Sequence, residues 1–214
     1  MVKERPLRGA VVKRRNADRA PANEALNTRE QILDLAESLI QTRSYGGFSY
    51  QDISDALGIR KASIHYHFPS KADLGVAVVD RYATRFQNEL TTLASDTTRS
   101  SLEVLDFYFQ PYLEFASTKD RVCLCGSLAG EMLTLPEAMR ARVDRFFRSH
   151  QTWLQMILKR GEVSGEFGLA AAAGKTARLV LGALQGGLLV KRTTGDASDL
   201  KDVVTVLKAQ LTKR

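Results

Sequence analysis

Residues 50–74 read YQDISDALGIRKASIHYHFPSKADL, and this stretch predicts two short helices around a tight turn. Ser49 stands where a side chain can cap the first helix, over 50–57, with Ile53, Ala56 and Leu57 facing inward. Gly58 stops it, because glycine tolerates the left-handed conformation that ends a helix. The second helix begins near Arg60 or Lys61 and runs to His67, and Pro69 bars its continuation. Two short helices joined by such a turn are the signature of a helix-turn-helix, whose second helix enters the DNA major groove. Ile64 and Phe68, four apart, share the face that packs inward, which leaves Lys61, Ser63, His65 and Tyr66 on the other faces. His65 and His67 do not read as a metal pair, since residues two apart on a helix point in different directions. No nucleophile or orienting carboxylate accompanies them, so a catalytic cluster is not expected either.

Working outward, Thr28 and Gln31 form a capping-box pattern that opens a helix with Ile32, Leu33, Ala36, Leu39 and Ile40 on one face. That helix ends before Tyr45-Gly46-Gly47. Downstream, Ser70 with Asp73 caps a helix that reaches about Ser95, and Asp96–Ser100 is a polar boundary. Five more helices follow, over about 101–118 with Pro111 inside, 126–133, 136–160, 169–192 and 197–212. Period-2 alternation is absent, so the expected fold is all-α. Its units are a flexible basic arm over 1–26, a helix-turn-helix unit over 27–75 and a helical domain over 76–214.

Of the 214 residues 44% are apolar and 26% charged, enough to build a real core; the net charge of +7 admits a polyanionic partner without proving one. The N-terminal segment has no apolar stretch of the kind a secretory signal needs, and ARLVLGALQGGLLV is too short and glycine-rich for a confident membrane span. Cys123 and Cys125 form a C-x-C pair poorly placed for a disulfide, which suits a reducing compartment. A cytoplasmic protein with no membrane partner is expected. Paired carboxylates, a Ser-His-Asp set and metal-ligand spacings are missing, so neither enzyme activity nor a cofactor is expected.

Residues 28–74 resemble the DNA-binding domain of the tetracycline-repressor (TetR) family. The resemblance rests on Phe48-Ser49, Ile53-Ser54, Gly58-Ile59, Ser63-Ile64, Tyr66-His67-Phe68, Ser70-Lys71 and Leu74, all at the family's spacing. Ala62-Ser63 and His65 depart from the common pattern, and both departures touch operator choice more than fold. The resemblance implies that Ser49, Tyr66, His67 and Lys71 contact DNA phosphates, as their donors and helix starts allow. It implies that Lys61, Ala62, Ser63 and His65 read base edges, with Ala62 suited to a thymine methyl and Lys61 to guanine. The arm, through Arg14, Arg15 and Arg19, either lies in the minor groove or serves only as a soluble tail.

TetR-like proteins carry a variable helical C-terminal domain that dimerises and holds a small ligand, and the second half is expected to do the same. Its aromatic residues supply both core and pocket; the expected pocket comprises Phe107, Tyr108, Tyr112, Glu131, Phe147, His150 and Trp153. Gly182 and Gly186, with Leu200, Val204 and Leu207 on the last helix, are expected at a four-helix dimer interface. Cys123 is either a packing residue or a reactive thiol activated by Lys191. The expected function is that of a homodimeric repressor that binds a pseudo-palindromic double-stranded operator and leaves it on binding a small, largely apolar effector. The alternative is the same fold acting as a redox or electrophile sensor through Cys123.

Overall fold

A computed structural model describes residues 19–212. The described residues form nine helices and no strand: α1 Arg19–Arg43, α2 Tyr50–Leu57, α3 Lys61–His67, α4 Lys71–Ser95, α5 Ser101–Ala116, α6 Leu124–Ala129, α7 Glu137–Val163, α8 Ala173–Thr194 and α9 Ser198–Thr212. The fold is all-α, with α1–α3 forming the helix-turn-helix end and α4–α9 the helical body.

Helix α1 starts at Arg19 rather than Thr28, so residues 19–26 of the expected arm are helical backbone. Alanine-rich sequence favours this extension, and Pro21 falls in the first turn, where the missing N–H has no intrahelical partner to lose. Thr28 is therefore inside the helix and does not cap it. Residues 1–18, with Arg14 and Arg15, lie outside the described part. Smaller shifts occur further on, where α6 sits earlier than the expected 126–133 and α8 begins at Ala173 rather than near 169. Ala56, expected inward, is exposed.

Serine capping boxes set three helix starts. Ser49 and Asp52, Ser70 and Asp73, and Ser100 and Glu103 each exchange the two reciprocal hydrogen bonds that satisfy orphan amides. Each such cap is worth about 1 kcal/mol relative to alanine. The α1–α2 turn needs glycine at Gly47, where a Cβ would stand 2.1 Å from the Arg43 carbonyl oxygen.

In the body, α8 packs on α7 and α9, and α7 packs on α4 and α5. Leu200, Val204, Leu207 and Leu211 of α9 are all buried within the chain, at 6% exposure or less. Gly187 permits this close approach, since a Cβ there would lie 2.9 Å from Leu200 Cδ1. The α9 stripe expected at a subunit interface is thus intramolecular core: a leucine stripe reports that a helix face is covered, not which chain covers it. Between the two halves, Arg81 of α4 reaches Glu30, Asp34 and the buried Glu37 of α1 at 2.8–3.2 Å, and Arg85 adds a 2.8 Å bond to Glu37.

Candidate nucleic-acid interface

Gly58 ends α2 in the left-handed conformation at φ 65°, and the Ser54 hydroxyl donates to the Ile59 carbonyl at 2.6 Å, which fixes the turn. Ile64 and Phe68 are buried as their spacing predicts, worth roughly 2 kcal/mol each in area terms. The Tyr50 hydroxyl donates to the Phe68 carbonyl at 2.9 Å and pins the end of α3 to α2. Burial raises the Tyr50 phenol to about 12, so it stays a donor at any physiological pH.

With its inner face fixed, α3 turns Arg60, Lys61, Ala62 and Tyr66 outward, and Tyr66 is 80% exposed. Ser63 and His67 are half-buried, and the Tyr66 ring meets the His67 ring edge-on at 5.0 Å. This surface offers two cationic side chains, a phenol, an imidazole, a hydroxyl and a methyl on a single short helix, matching the chemistry of groove edges and phosphates.

Three of the expected DNA contacts also make bonds within the protein. His65 is exposed; its ring meets Tyr50 edge-on at 4.9 Å and its Nδ1 lies 3.1 Å from the Pro69 carbonyl, so it also braces the end of α3. Lys71 Nζ donates to the carbonyls of Tyr45 at 2.6 Å and Phe48 at 2.5 Å, and it sits over both rings. Desolvation lowers its pKa, against the pull of Glu131 and Asp52. Lys71 therefore clips the α1–α2 turn; a long cationic side chain finds buried carbonyls as readily as phosphates. The Ser49 hydroxyl donates to Asp52 Oδ2 at 2.6 Å and takes part in the capping box of α2.

Arg60 was not among the expected contacts. It occupies the N-cap of α3 without making a capping hydrogen bond, while α2 and α4 on either side begin with capping serines. The signal was legible in the sequence, because an arginine in place of a capping residue forgoes about 1 kcal/mol of helix stability.

The expected pocket is divided by the structure. A cavity of about 30 Å³ lies between α4, α5 and α7, lined by Tyr82, Phe86, Tyr108, Tyr112, Cys123 and His150, with Phe107 at its rim. That is room for one or two water-sized bodies. Tyr108 hydroxyl and His150 Nδ1 are 3.1 Å apart, and the Tyr82 hydroxyl donates to Cys123 Sγ at 3.6 Å. Burial pushes His150 down to about 4, so the ring is neutral. Trp153 backs this wall: it stacks on Tyr108 at 5.2 Å and donates to the Leu90 carbonyl at 2.8 Å, as core. Phe147 lies in a separate open groove with Gly182, Gln185 and Leu189. Glu131 is outside the cavity, with its carboxylate on the Tyr45 and Gly46 amides at 2.7 and 2.8 Å. Lys191 does not meet Cys123; its ammonium caps the carbonyls of Thr118 and Lys119. A buried lysine at the end of α8 needs acceptors, and the loop after α5 supplies them.

Gly182 and Gly186 face away from the body, and a Cβ at either would touch nothing within 4 Å. Leu179, Leu189 and Val190 on α8, and Val206 on α9, are exposed. Among the described residues no helix is long and apolar enough to cross a membrane, and no cluster of metal-ligating side chains occurs.

The family model for bacterial regulatory proteins of the tetR family matches residues 32–78. Over the whole chain, a TetR-family transcriptional regulator from Agrobacterium tumefaciens is 33% identical, covering 88% of this chain and 100% of that one at a TM-score of 0.83. A TetR transcriptional regulator from Legionella pneumophila is 31% identical, covering 85% and 96% at a TM-score of 0.77. The HTH-type transcriptional repressor DhaR of a Mycobacterium species is 23% identical over 179 residues, 84% of this chain and 89% of that protein. An exposed α3 on a braced helix-turn-helix, joined to a body similar to these regulators along nearly its whole length, places the chain in the TetR family: it is a DNA-binding transcriptional repressor and not an enzyme.

Proposed function

We propose that the protein is a homodimeric, cytoplasmic, effector-responsive repressor that reads a pseudo-palindromic operator with one α3 from each subunit. The single observation that carries this reading is the outward face of α3, where Arg60, Lys61, Ala62 and Tyr66 are exposed beside Ser63 and His67. Lys61, Ala62 and Ser63 remain the base readers, Tyr66 and His67 the phosphate contacts, and Arg60 joins them. The dimer reading is supported by the α8 face, where Gly182 and Gly186 leave space for a close helix and Leu179, Leu189 and Val190 supply apolar area. A symmetric operator requires two recognition helices about one DNA turn (~34 Å) apart, which a single chain does not provide.

The effector site is the cavity between α4, α5 and α7. Its walls are aromatic, and its polar groups are the Tyr82, Tyr108, Tyr112 and His150 side chains, the Cys123 thiol and the Glu89 carboxylate. At about 30 Å³ it admits an effector only if the rings part, so binding favours a body geometry different from the one described here. A ligand shifts the equilibrium by its preference between two such geometries and by nothing else. One observation favours a second reading: Cys123 forms part of the cavity wall, so a small electrophile that enters meets the thiol directly. Lys191 plays no part in that reading.

The two readings separate in a Cys123→Ser protein held on its operator and challenged with small aromatic compounds and with a thiol alkylator. Release of wild type and variant alike by an unreactive aromatic compound is the result expected for the cavity reading. Release of wild type alone, and only by the alkylator, would replace it with the thiol reading.

A further inference from the structure

The last turn of α1 and the turn that follows take many of their hydrogen bonds from the helical body. The Ser127 hydroxyl donates to the Ile40 carbonyl at 2.9 Å, the Val122 amide to the Gln41 carbonyl at 3.4 Å, and Arg192 to the Thr42 carbonyl at 2.6 Å. These carbonyls lie in the last turn of the helix, where Ile40 also accepts from the Ser44 amide at 3.1 Å, and three body elements bond to them. One step further, Glu131 accepts from the amides of both Tyr45 and Gly46. Lys71, at the start of α4, donates to the carbonyls of Tyr45 and Phe48. The turn gripped in this way ends at Ser49, the cap of α2, and α2 carries α3. The gripping segment contains Cys123, a wall residue of the cavity, next to Val122.

We propose that Glu131 is a positioning residue for operator binding: through the Tyr45 and Gly46 amides it sets the orientation of α2 and α3 on the body, and it makes the α1–α2 turn the joint between operator and cavity. A carboxylate that accepts from two adjacent amides fixes both direction and distance, which one hydrogen bond does not. The turn itself is glycine-rich and stores little rigidity of its own. Rigidity comes from the body, so a shift of the 121–131 segment reaches α3 without passing through the α2–α3 core. The inference rests on operator binding and is independent of which effector, or which thiol chemistry, moves the segment.

The test uses the full-length dimer and a fluorescent duplex carrying the selected operator. Trp153 is the single tryptophan of the chain and stacks against the cavity wall, so its emission reports the body. If the turn joins operator and body, operator binding should shift the body geometry around Trp153 and change its emission in wild type. Glu131→Gln keeps the shape but presents an amide donor to one of the two N–H groups. Gly46→Ala approaches the same bond independently, since its Cβ would lie 3.1 Å from Glu131 Oε2. Both proteins should bind operator at least about fivefold more weakly, the low end of ordinary site-to-site coupling. Salt dependence should be unchanged, the Trp153 response to operator should be lost, and the Tyr45 and Gly46 amides should exchange faster. A merely structural role would lower the thermal midpoint and leave the Trp153 response of the bound protein intact, and that result overturns the proposal. So does wild-type affinity in both variants, or a wild-type Trp153 that ignores the operator.

Discussion

Leu207→Glu should fail to give a folded helical body, whereas Leu189→Glu should give a folded monomer that no longer holds its operator. Leu207 is 6% exposed inside α9 and Leu189 is 47% exposed on α8. Burying an unpaired carboxylate costs several kcal/mol in practice, a large part of the roughly 5–15 kcal/mol that keeps a domain folded. At Leu189 the charge meets water in the single chain and is buried only if a second subunit covers it. Circular dichroism and thermal unfolding read the first effect; sedimentation and operator binding read the second. A folded Leu207→Glu monomer would contradict the burial of α9 within the chain, and a Leu189→Glu dimer that still binds DNA would move the subunit interface away from α8.

Acid should weaken the body through His150. Its folded-state pKa is about 4, against the 6.5 of a free imidazole, because burial disfavours the charged ring. The unfolded chain therefore takes up a proton as pH falls below about 6.5, and the folded chain does so only near 4. Stability is full above 6.5 and drains away between these limits. The loss reaches about 2 kcal/mol at pH 5 and about 3 kcal/mol at pH 4 in order of magnitude. His150→Gln keeps a hydrogen-bonding partner for Tyr108 and removes the titration. Urea midpoints at pH 7 and pH 5 should separate more in wild type than in the variant. Equal separation would mean that His150 is solvated, and the cavity wall would then be wrongly drawn.

The parts of this fold that rest on local chemistry can be read from the sequence alone. Ser49 with Asp52, Ser70 with Asp73, and Gly58 between α2 and α3 act within a few residues, and each does in the structure what its spacing predicts. The same holds for Ile64 and Phe68, whose spacing defines one helix face. The start of α1 was less clear, because Pro21 reads as a break unless it is known to fall in the first turn. The site was harder still, because long polar side chains choose partners that are distant in sequence. Lys71 looks like a DNA contact from its place in the motif, yet carbonyls within the protein hold its ammonium, and the exposed His65 also leans on a tyrosine ring. Glu131 looks like a pocket anchor because it stands alone among apolar residues, and it binds a turn some 85 positions away. Leu200 and Leu207 show the remaining gap: periodicity reveals a buried face but not the surface that buries it.

Operator recognition by this protein comes down to two copies of α3 reading a symmetric DNA site. Selection of tight binders from random duplexes by the purified protein tests it most directly. The expected result is enrichment of a pseudo-palindrome whose half-site centres lie about one helical turn (~34 Å) apart, bound at least about 10³-fold more tightly than random sequence. Enrichment of no symmetric motif, with near-equal affinity for every duplex, would contradict it.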